Sequence, residues 1–518
     1  MQEKEEASVF KEALELYRKK EYEKAMEKLD SPVFSKVRFP WQRLLKAVIY
    51  RDTGCILTEL SELRALEAEL TDEETALRAH MWSLTGSALR VLGENKKAQQ
   101  AFLNSVRIAP DLQQKLAEAS NAIFVSNCLP EFAEKSMAGL FEIYNGFLTD
   151  ITPYREYRHT GGALRLGLIS GDFCLHPVCS LLAALFRFHD RERLQLYCYS
   201  AGKRKDWATD ELRKMADSWR DIQELPAAEA AELIHADAVD ILLELSGHTA
   251  ENSLPVLKYR PAPVQMSGIG YMGSTGLEEV DYFLGDIYLD ELPQESFCEK
   301  ILTMPHTHFC YTPFGPPPAP AVDTPCLEKG YVTFGCFNNA AKLTEEMLAA
   351  WLKIMQLVPE SRLILKWKLF SSEEGRQYMK DKLVNLGFDF SRIELRPFSA
   401  TYLEEYREID IALDTFPYVG GFTTLEALYM GVPVISLFGP RHGTRFGYSI
   451  LANCGLGSLL ADTFEEYIDK AVTLATDKAL LQLAHKKTRP AMEASPIMNG
   501  REWTEDFTAL MYQVQAHL

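Results

Sequence analysis

The chain has 518 residues, of which 47% are hydrophobic and 25% charged, and its formal net charge is −18 at pH 7. This length exceeds what one hydrophobic core supports, so we expect about three domains of roughly 100–200 residues each. The excess of acidic residues argues against a nucleic-acid-binding surface, which needs clustered lysine and arginine.

The sequence contains no sign of export, membrane insertion or a cysteine-based zinc site. Its start, MQEKEEASVFKEALELYRKK, has no apolar core of signal-peptide length, and no stretch approaches the roughly 20 apolar residues of a membrane span. The ten cysteines follow no CxxC spacing, which favours buried free thiols over zinc ligands or a redox pair. We therefore expect a cytoplasmic protein without a membrane span.

Residues 1–150 predict an all-α, tetratricopeptide-like helical domain. Apolar residues recur there at three-to-four spacing. Small and large residues also follow the pattern seen where two antiparallel helices of a tetratricopeptide repeat cross. That pattern is formed by Trp82, Gly86, Leu89, Gly93, Ala98, Phe102, Ala109 and Pro110, and a weaker copy by Ala13, Tyr17, Tyr22, Ala25 and Leu29.

Residues 151–315 predict a first α/β lobe. Hydrophobic runs alternate there with segments of helix length, which is typical of a parallel sheet covered on both faces. The predicted strands are Leu164–Ser170, Leu194–Tyr199, Asp240–Leu245, Val264–Ile269 and Tyr282–Leu284. The proline-rich segment that follows predicts a stiff linker over residues 316–330.

Residues 331–518 predict a second lobe of the same kind, which ends in a closing helix at Trp503–Ala516. Its predicted strands are Tyr331–Phe337, Arg362–Lys366, Arg392–Leu395, Ile411–Leu413 and Pro433–Leu437. Two such lobes place the carboxyl ends of their strands across a cleft, where ligands bind in sheets of this class. The predicted fold is therefore α/β, with two Rossmann-like lobes after a helical domain.

The segment Ile409–Leu437 predicts a cradle for a phosphate and a sugar. Glycines, among them Gly421, end a buried strand, and Thr423 and Thr424 open the next helix, which carries Glu426. Helix N-terminal N–H groups and threonine hydroxyls bind phosphate, and a carboxylate one turn further on can bind a ribose diol. We expect a nucleotide to bind here.

Polar residues also stand near the strand ends of the first lobe. Asp172 and His176 follow the first strand, where chemistry is usually found, although a helix-capping aspartate beside a structural histidine is an equal alternative. His235 precedes the strand DILLEL and His248 follows it. For each of these two, a surface or internally bonded histidine is the better interpretation.

Three further segments carry candidate ligand contacts. Gly273 lies in the glycine-rich stretch RPAPVQMSGIGYMGSTG, whose bare backbone can lie against a diphosphate or a sugar. Asn339 follows a strand of the second lobe, and Lys342, three residues later, can offset charge on a leaving phosphate. His442 and Arg445 follow the strand PVISLF and can contact phosphate or acceptor. The alternatives are a weak glycine loop, a solvated lysine and ordinary loop side chains.

Five ordered motifs carry a family resemblance. The order SGDFxxHP, RPAPVQMSGIGYMGSTG, FNNAAK, DIALDTFPYVGGFTTLEALYMGVPV and RHGTRFGYSIL resembles the catalytic region of the O-linked N-acetylglucosamine transferase (SPINDLY-like) family, over roughly residues 155–518. The tetratricopeptide-like helices before it agree with that family. The resemblance implies two lobes of GT-B architecture, a UDP-sugar donor, no metal or other cofactor, and inverting transfer to a protein side chain.

The resemblance also implies roles for single residues. It places His176 at the acceptor and donor sugar, Lys342 on the departing diphosphate, Asn339 at the position of a neighbouring glutamine, Glu426 on the ribose, and Thr423 near the phosphates. His235 stands at the position of a second histidine once proposed as the base. For the catalytic base, the first candidate is His176, and Asp172 and His235 are reserves.

The chain departs from the family pattern at two places. Tyr402 stands where the family commonly has a histidine that stacks on uracil, and its ring could stack in the same way. Gly421, with Phe422 next to it, replaces the histidine of the family's HTT motif. These changes bear on the base and the sugar rather than on the fold. The insertion between the lobes of animal members is absent, which favours a bacterial-type enzyme.

The sequence thus predicts an inverting, metal-independent glycosyltransferase that moves a sugar, with N-acetylglucosamine as first choice, from a UDP-sugar to Ser or Thr of a protein. One alternative is a UDP-glucose-dependent asparagine N-glycosyltransferase of adhesins. Another is a non-catalytic repeat scaffold with a vestigial sugar-nucleotide site. We also expect the acceptor protein to dock on the helical repeats, and a partner subunit is a further possibility.

Overall fold

The computed structural model describes residues 2–36, 38–130, 134–158, 161–289, 297–313, 318–321 and 323–516. The chain forms two compact units. The first comprises residues 1–129, 339–344 and 365–398, and the second comprises residues 130–338, 345–364 and 399–518.

The N-terminal part of the chain is helical, as the sequence predicts. Its helices are α1 (Gln2–Arg18), α2 (Tyr22–Leu29), α3 (Pro40–Asp52), α4 (Ile56–Glu69), α5 (Thr75–Val91), α6 (Asn95–Ile108), α7 (Leu112–Ser126) and α8 (Glu134–Gly146). Consecutive helices pack in pairs, with α1 on α2, α3 on α4 and α5 on α6.

The small-and-large pattern of the repeat is confirmed at the crossing of α5 and α6. A methyl group built on Gly86 would lie 2.6 Å from the Phe102 ring, so only glycine lets the two helices approach this closely. In the first helix pair, Ala13, Ala25 and Leu29 are fully buried in one cluster. Both predicted copies therefore correspond to real helix pairs.

The last helix of this region, α8, belongs to the second unit. Asn145 donates from Nδ2 to the Gly276 carbonyl oxygen at 2.7 Å. Tyr144 meets His248 edge-on, with ring centroids 5.1 Å apart. The N-terminal segment of the first compact unit therefore ends at residue 129, one helix before the domain boundary predicted at residue 150.

The first lobe contains a parallel sheet. In the described residues it has seven strands in the order β3-β2-β1-β4-β5-β6-β7. They are β1 (Leu164–Ser170), β2 (Leu194–Ser200), β3 (Ser218–Asp221), β4 (Ile241–Glu244), β5 (Val264–Ser267), β6 (Tyr282–Asp286) and β7 (Lys300–Met304). The helices of this lobe are α9 (Pro177–Phe188), α10 (Trp207–Met215), α11 (Ala227–Ala236) and α12 (Leu254–Leu257). The sequence missed β3 and β7.

The register of this sheet brings its strand ends to one edge. Strand β1 pairs in parallel with β2 from Leu164↔Leu194 to Ser170↔Ser200. It also pairs in parallel with β4, with Ile169 opposite Glu244. Strand β4 is buried along its whole length, as expected for a sheet covered on both faces. The loops after β1 and β4 therefore leave side by side.

The second lobe contains another sheet, with strand order β10-β9-β8-β11-β12-β13 among the described residues. Its strands are β8 (Thr333–Cys336), β9 (Arg362–Lys366), β10 (Ile393–Arg396), β11 (Ile411–Leu413), β12 (Val434–Leu437) and β13 (Leu460–Ala461). The helices from residue 326 onward are α13 (Cys326–Lys329), α14 (Glu345–Leu357), α15 (Glu373–Asn385), α16 (Tyr402–Glu405), α17 (Phe422–Tyr429), α18 (Phe446–Asn453), α19 (Phe464–Thr476), α20 (Lys478–Glu493) and α21 (Gly500–Gln515). Two Rossmann-like sheets are thus confirmed.

Two predicted segments differ in detail. The linker predicted over residues 316–330 contains the short helix α13, and its residues 316, 317 and 322 lie outside the described part of the chain. The closing helix α21 packs on α9 of the first lobe, where a methyl group on Gly500 would lie 2.9 Å from the Phe188 ring. Helix α21 therefore belongs with the first lobe by its packing, although it follows the second lobe in the chain. No helix in the described residues is long and apolar enough to cross a membrane.

Candidate functional site

The carboxyl edge of the second sheet gathers polar side chains from neighbouring strands. Strand β11 pairs in parallel with β8 on one side and with β12 on the other. The loop after β8 begins with Phe337 and Asn338, and the loop after β11 begins with Asp414 and leads to α17. Because the carboxyl ends of parallel strands share an edge, these loops are neighbours.

Asp414 organises this edge. Its Oδ1 accepts hydrogen bonds from the backbone N–H groups of Gly420 at 2.7 Å and Thr415 at 2.8 Å, and a longer one from Asn338 Nδ2 at 3.4 Å. Its Oδ2 accepts from Ser436 Oγ at 2.7 Å. The side chain is 2% exposed. Asp414 was not among the predicted site residues, although a carboxylate directly after a buried strand was a signal for it.

The start of α17 carries the features expected of an anion site. Among the residues that the structure describes, no side chain caps its amino end by a hydrogen bond. The Thr423 hydroxyl donates to Asn338 Oδ1 at 2.9 Å, which connects this helix to the loop after β8. Thr424, next along the chain, is 2% exposed. The predicted residues Thr423 and Thr424 thus open an uncapped helix at the carboxyl edge of the sheet.

Glu426 lies one turn further along α17 and is 3% exposed. Burial raises the pKa of its carboxyl group to about 8. The Tyr402 hydroxyl donates to Glu426 Oε1. The structure therefore brings the residue predicted at the ribose into contact with the residue predicted at the base. No local sequence pattern indicates this bond.

Gly421 and Phe422, where the chain departs from the family's HTT motif, lie at the start of α17. A methyl group built on Gly421 would meet the rings of Phe446 at 3.6 Å and Phe309 at 3.7 Å, which are ordinary contacts. The ring of Phe422 lies 5.6 Å from that of Tyr311, centroid to centroid. An aromatic surface thus borders the amino end of α17.

In the first lobe, Asp172 and His176 meet at the carboxyl edge of β1. His176 is the N-cap of α9, and its Nδ1 accepts from the Val178 N–H at 3.4 Å. The same Nδ1 lies 3.7 Å from Asp172 Oδ2. Burial lowers the pKa of His176 and raises that of Asp172. In the tautomer that the Val178 bond requires, Nε2 carries the proton.

A second carboxylate at this edge went unnoticed in the sequence. Glu244 ends β4 and is fully buried. Its oxygens accept from the N–H groups of Ser246 at 2.9 Å and Gly247 at 2.7 Å, and from Ser267 Oγ at 3.2 Å. Burial raises the pKa of Glu244 to about 7 despite these bonds, and the nearby charge of Asp172 acts in the same direction.

His235 lies away from this edge. It is in the last turn of α11, the helix that leads into the amino end of β4. Its ring stacks on Tyr154, with centroids 4.0 Å apart, and its Nδ1 lies 3.4 Å from the Pro261 carbonyl oxygen. The structure therefore does not bring His235 together with His176. His248, by contrast, is fully buried against aromatic rings, and its Nε2 lies 2.9 Å from the Thr275 carbonyl oxygen.

The glycine-rich loop of the first lobe is held by its own lobe. Ser274 Oγ donates to Glu299 Oε2 at 2.6 Å, and the Thr275 N–H donates to Glu299 Oε1 at 2.7 Å. Gly273 precedes these residues and is half-buried. A methyl group on Gly443 would lie 2.8 Å from Met272 Cγ, so this loop touches the second lobe near His442.

His442 and Arg445 are buried by contacts between the lobes. Burial lowers the pKa of His442 to about 3, and its ring meets Phe283 edge-on with centroids 5.2 Å apart. Arg445 is 5% exposed, donates from Nε to the Tyr288 carbonyl oxygen at 2.9 Å, and stacks on Tyr448 at 4.5 Å. These contacts suit structural side chains, and a role in ligand binding stays a prediction for both.

Asn339 and Lys342 belong to the other unit of the chain. A 3₁₀ turn spans Ala340–Lys342, and Asn339 is its N-cap, because its Oδ1 accepts from the Ala341 N–H at 2.9 Å. Lys342 ends that turn and is half-buried. The contact of either residue with a nucleotide stays a prediction.

The described residues contain no group of three or more His, Cys, Asp or Glu side chains arranged to hold a metal ion. The ten cysteines are all free thiols in the structure. The expectation that the reaction uses no metal stays a prediction.

Sequence comparison gives relatives that match 66% to 78% of the chain. The "Probable UDP-N-acetylglucosamine--peptide N-acetylglucosaminyltransferase SPINDLY" of Hordeum vulgare is 38% identical over 349 residues, which are 66% of this chain and 37% of the relative. The protein of the same name from Oryza sativa subsp. japonica is 35% identical over 417 residues, 78% of this chain and 45% of that one. The chain thus spans less than half the length of these curated relatives.

Comparison with solved structures gives a protein that is similar over nearly the whole chain. A lysine-to-methionine mutant of Thermobaculum terrenum O-GlcNAc transferase is similar with a TM-score of 0.87 and 27% identity, over 99% of this chain and 98% of that one. The model of glycosyl transferase family 41 matches residues 149–312 and 324–507, which take in most of both lobes. The chain therefore belongs to glycosyl transferase family 41.

Proposed function

We propose that this protein is an inverting, metal-independent glycosyltransferase that moves N-acetylglucosamine from a UDP-sugar to Ser or Thr of a protein. Membership of glycosyl transferase family 41 supports the reaction class. The names of the relatives, which specify UDP-N-acetylglucosamine and a peptide, support the donor and the acceptor. The observation that carries the proposal is the uncapped start of α17 with a buried carboxylate one turn on.

The nucleotide would bind at this helix. The N–H groups at its start, which no described side chain caps, and the threonine hydroxyls beside them suit the diphosphate, because a helix amino end favours negative charge. Glu426 would bind the ribose hydroxyls, and its hydrogen bond from Tyr402 holds it in place for that task. The Tyr402 ring would then lie beside the base. Lys342, at the position that the family resemblance assigns to the diphosphate, would neutralise the departing charge.

The acceptor hydroxyl would attack the anomeric carbon from the face opposite the diphosphate. The bond from this carbon to the phosphate oxygen breaks, and UDP leaves with the electron pair. His176 would take the hydroxyl proton, for which Nε2 must be unprotonated. That state requires the other tautomer, in which the proton is on Nδ1, 3.7 Å from Asp172 Oδ2, and the bond from the Val178 N–H is lost. Asp172 would therefore orient the imidazole by accepting from Nδ1.

The test is mass spectrometry of candidate acceptor proteins after incubation with the purified enzyme and one donor at a time. The donors are UDP-N-acetylglucosamine, UDP-glucose, other UDP-hexoses and a GDP-hexose, because Tyr402 departs from the family at the base. The Lys342→Ala variant should lose about 10²–10³ in rate, because it lacks the charge on the leaving group. Lys353→Ala is the matched control, since Lys353 is an exposed lysine on α14.

The outcomes separate the three classes of protein and test Lys342 and metal independence in turn. A mass addition on Ser or Thr that depends on Lys342 supports the proposal, and one on Asn supports the asparagine N-glycosyltransferase. Full activity of Lys342→Ala would sink the assignment of this lysine. No addition and no UDP binding by calorimetry would place the protein with non-catalytic repeat scaffolds. Unchanged activity in excess EDTA is expected, and a loss restored by a divalent cation would overturn metal independence.

Three further expectations belong to this proposal. The helical repeats α1 to α7 would help to select the acceptor, since stacked helix pairs provide extended binding surfaces. A partner subunit would use the same surface. A cytoplasmic location is also expected, and fractionation of the producing cells tests it.

A further inference from the structure

The turn between α5 and α6 lies against the loop that carries Lys342, and both belong to the first unit. Gly93 in this turn has φ of +78°, and a methyl group built on it would lie 3.2 Å from the Ala340 carbonyl oxygen. Glycine is therefore favoured at this position for two reasons, the positive φ and the close approach to Ala340. The helical repeat packs directly on the 3₁₀ turn Ala340–Lys342.

A buried hydrogen bond fixes this contact. Asn95, the first residue of α6, is 6% exposed and donates from Nδ2 to the Ala341 carbonyl oxygen at 2.7 Å. On the other side of the same residue, the Ala341 N–H donates to Asn339 Oδ1 at 2.9 Å. Both backbone groups of Ala341 are thus bonded to asparagine side chains, and Lys342 is the next residue along the chain.

Other bonds of the same unit hold the repeat and the neighbouring segment together. The Tyr378 hydroxyl on α15 donates to the Leu92 carbonyl oxygen at 3.3 Å and to Glu94 Oε1 at 3.1 Å. Glu374 Oε2, at the start of α15, accepts from the Leu57 and Thr58 N–H groups, each at 3.2 Å. The turn that precedes Asn95 is therefore held to α15 by hydrogen bonds.

We infer that Asn95 is a positioning residue for Lys342, so that the helical repeat forms part of the support of the active site. This inference rests on the proposed role of Lys342 at the diphosphate. A side chain that must meet a leaving phosphate needs a fixed backbone, and a small displacement of that backbone lowers binding and rate. The repeat thus acts on the donor side of the reaction as well as on the acceptor.

The test measures UDP affinity by calorimetry for the wild type, Asn95→Ala, Lys342→Ala and the double variant. If Asn95 acts through Lys342, Asn95→Ala lowers the affinity by about five- to ten-fold in the wild-type background. It has no further effect in the Lys342→Ala background, because the side chain that it positions is gone. Asn104→Ala is the control, since Asn104 lies on the same helix and accepts from Gln100 and Arg107 at the surface.

Thermal unfolding separates positioning from folding. If Asn95→Ala does not fold, Asn95→Ser, which keeps a polar side chain at the start of α6 but shortens it, takes its place in the same cycle. An equal loss of affinity in both backgrounds, or none in either, overturns the inference while the function stands. If the wild type itself binds no UDP, the proposed function fails and the inference fails with it.

Discussion

The residues of the site owe their chemistry to burial. Glu426 and Glu244 both have raised pKa values because their carboxyl groups are removed from water, whereas burial lowers the pKa of His176. Perturbed groups of this kind cluster where proteins bind and transform ligands. They occur here at the carboxyl edges of both sheets, where the loops of each lobe converge.

The buried carboxyl group of Glu426 should make the stability of the folded protein depend on pH. Its folded-state pKa is about 8, against an ordinary value of 4.5, so the native protein keeps a proton that the unfolded chain releases. Its contribution to stability is therefore complete below the ordinary pKa and is lost as the pH rises towards 8, at about 1.4 kcal/mol for each pH unit in this window. Glu426→Gln keeps the shape, and an oxygen to accept from Tyr402, but cannot titrate.

The measurement is urea unfolding of the wild type and of Glu426→Gln at about pH 5 and about pH 8. The wild type should lose more stability than the variant between these two values. Parallel behaviour of the two proteins would contradict the raised pKa.

Among the elements, α17 depends most closely on its turn. A methyl group on Gly420 would lie 2.5 Å from Thr424 Oγ1 and 2.8 Å from Asp414 Oδ1. The turn can therefore form only if this position has no side chain. The helix start, the hydrogen bonds of Asp414 and the predicted phosphate cradle therefore all depend on this turn.

We expect Gly420→Ala to lower UDP affinity by at least about ten-fold, because the N–H groups and hydroxyls at the start of α17 would be displaced. Gly457→Ala is the matched control, since a methyl group there meets nothing within 4 Å. Calorimetry with UDP and thermal unfolding of both variants check this. Wild-type affinity in Gly420→Ala would show that the turn is not part of the binding site.

For the molecule as a whole, a buried cluster joins the two lobes. Asp286 at the end of β6 accepts from His308 Nδ1 at 2.7 Å and from Ser449 Oγ on α18 at 2.7 Å. Asp286 and His308 are almost completely buried. Burial by itself would raise the pKa of Asp286, but the hydrogen bond from His308, together with the other bonds, holds it below its ordinary value.

Asp286→Asn should cost about 3–5 kcal/mol at neutral pH, because it breaks a buried pair while its partners stay in place. A lowered aspartate pKa gives stability above the ordinary pKa that is lost on acidification, so the gap between wild type and variant should narrow as the pH falls. Denaturant unfolding across the acid range measures this, with the exposed Asp469→Asn as control. A gap that stays constant with pH would contradict the assignment.

Most of the fold could be predicted from the sequence, except where the hydrophobic pattern is weak. The buried central strands β1, β8 and β11 were predicted closely, because continuous apolar runs between helices are distinctive. The strands β3, β7 and β13 were missed. Each of them lies at an edge of its sheet, and such strands are short or only partly buried, so they have little hydrophobic pattern.

The candidate site was predicted in the same uneven way. The helix start with Thr423, Thr424 and Glu426 was recognised, because glycine turns and hydroxyl residues at a helix start have local signatures. Asp414 and Glu244 were not, since a buried carboxylate is defined by partners that come from other strands. The opposite locations of His176 and His235 likewise depend on how the strands pair.

The sequence alone determined the two α/β lobes, the helical repeats and the family, because these follow from periodicity and from ordered motifs along the chain. Only the tertiary structure decided that Tyr402 bonds to Glu426, that Arg445 is buried between the lobes, and that Asn95 supports the turn leading to Lys342. Such contacts join residues far apart in the chain. Their geometry is set by how whole helices and strands pack, and a local sequence pattern does not determine that packing.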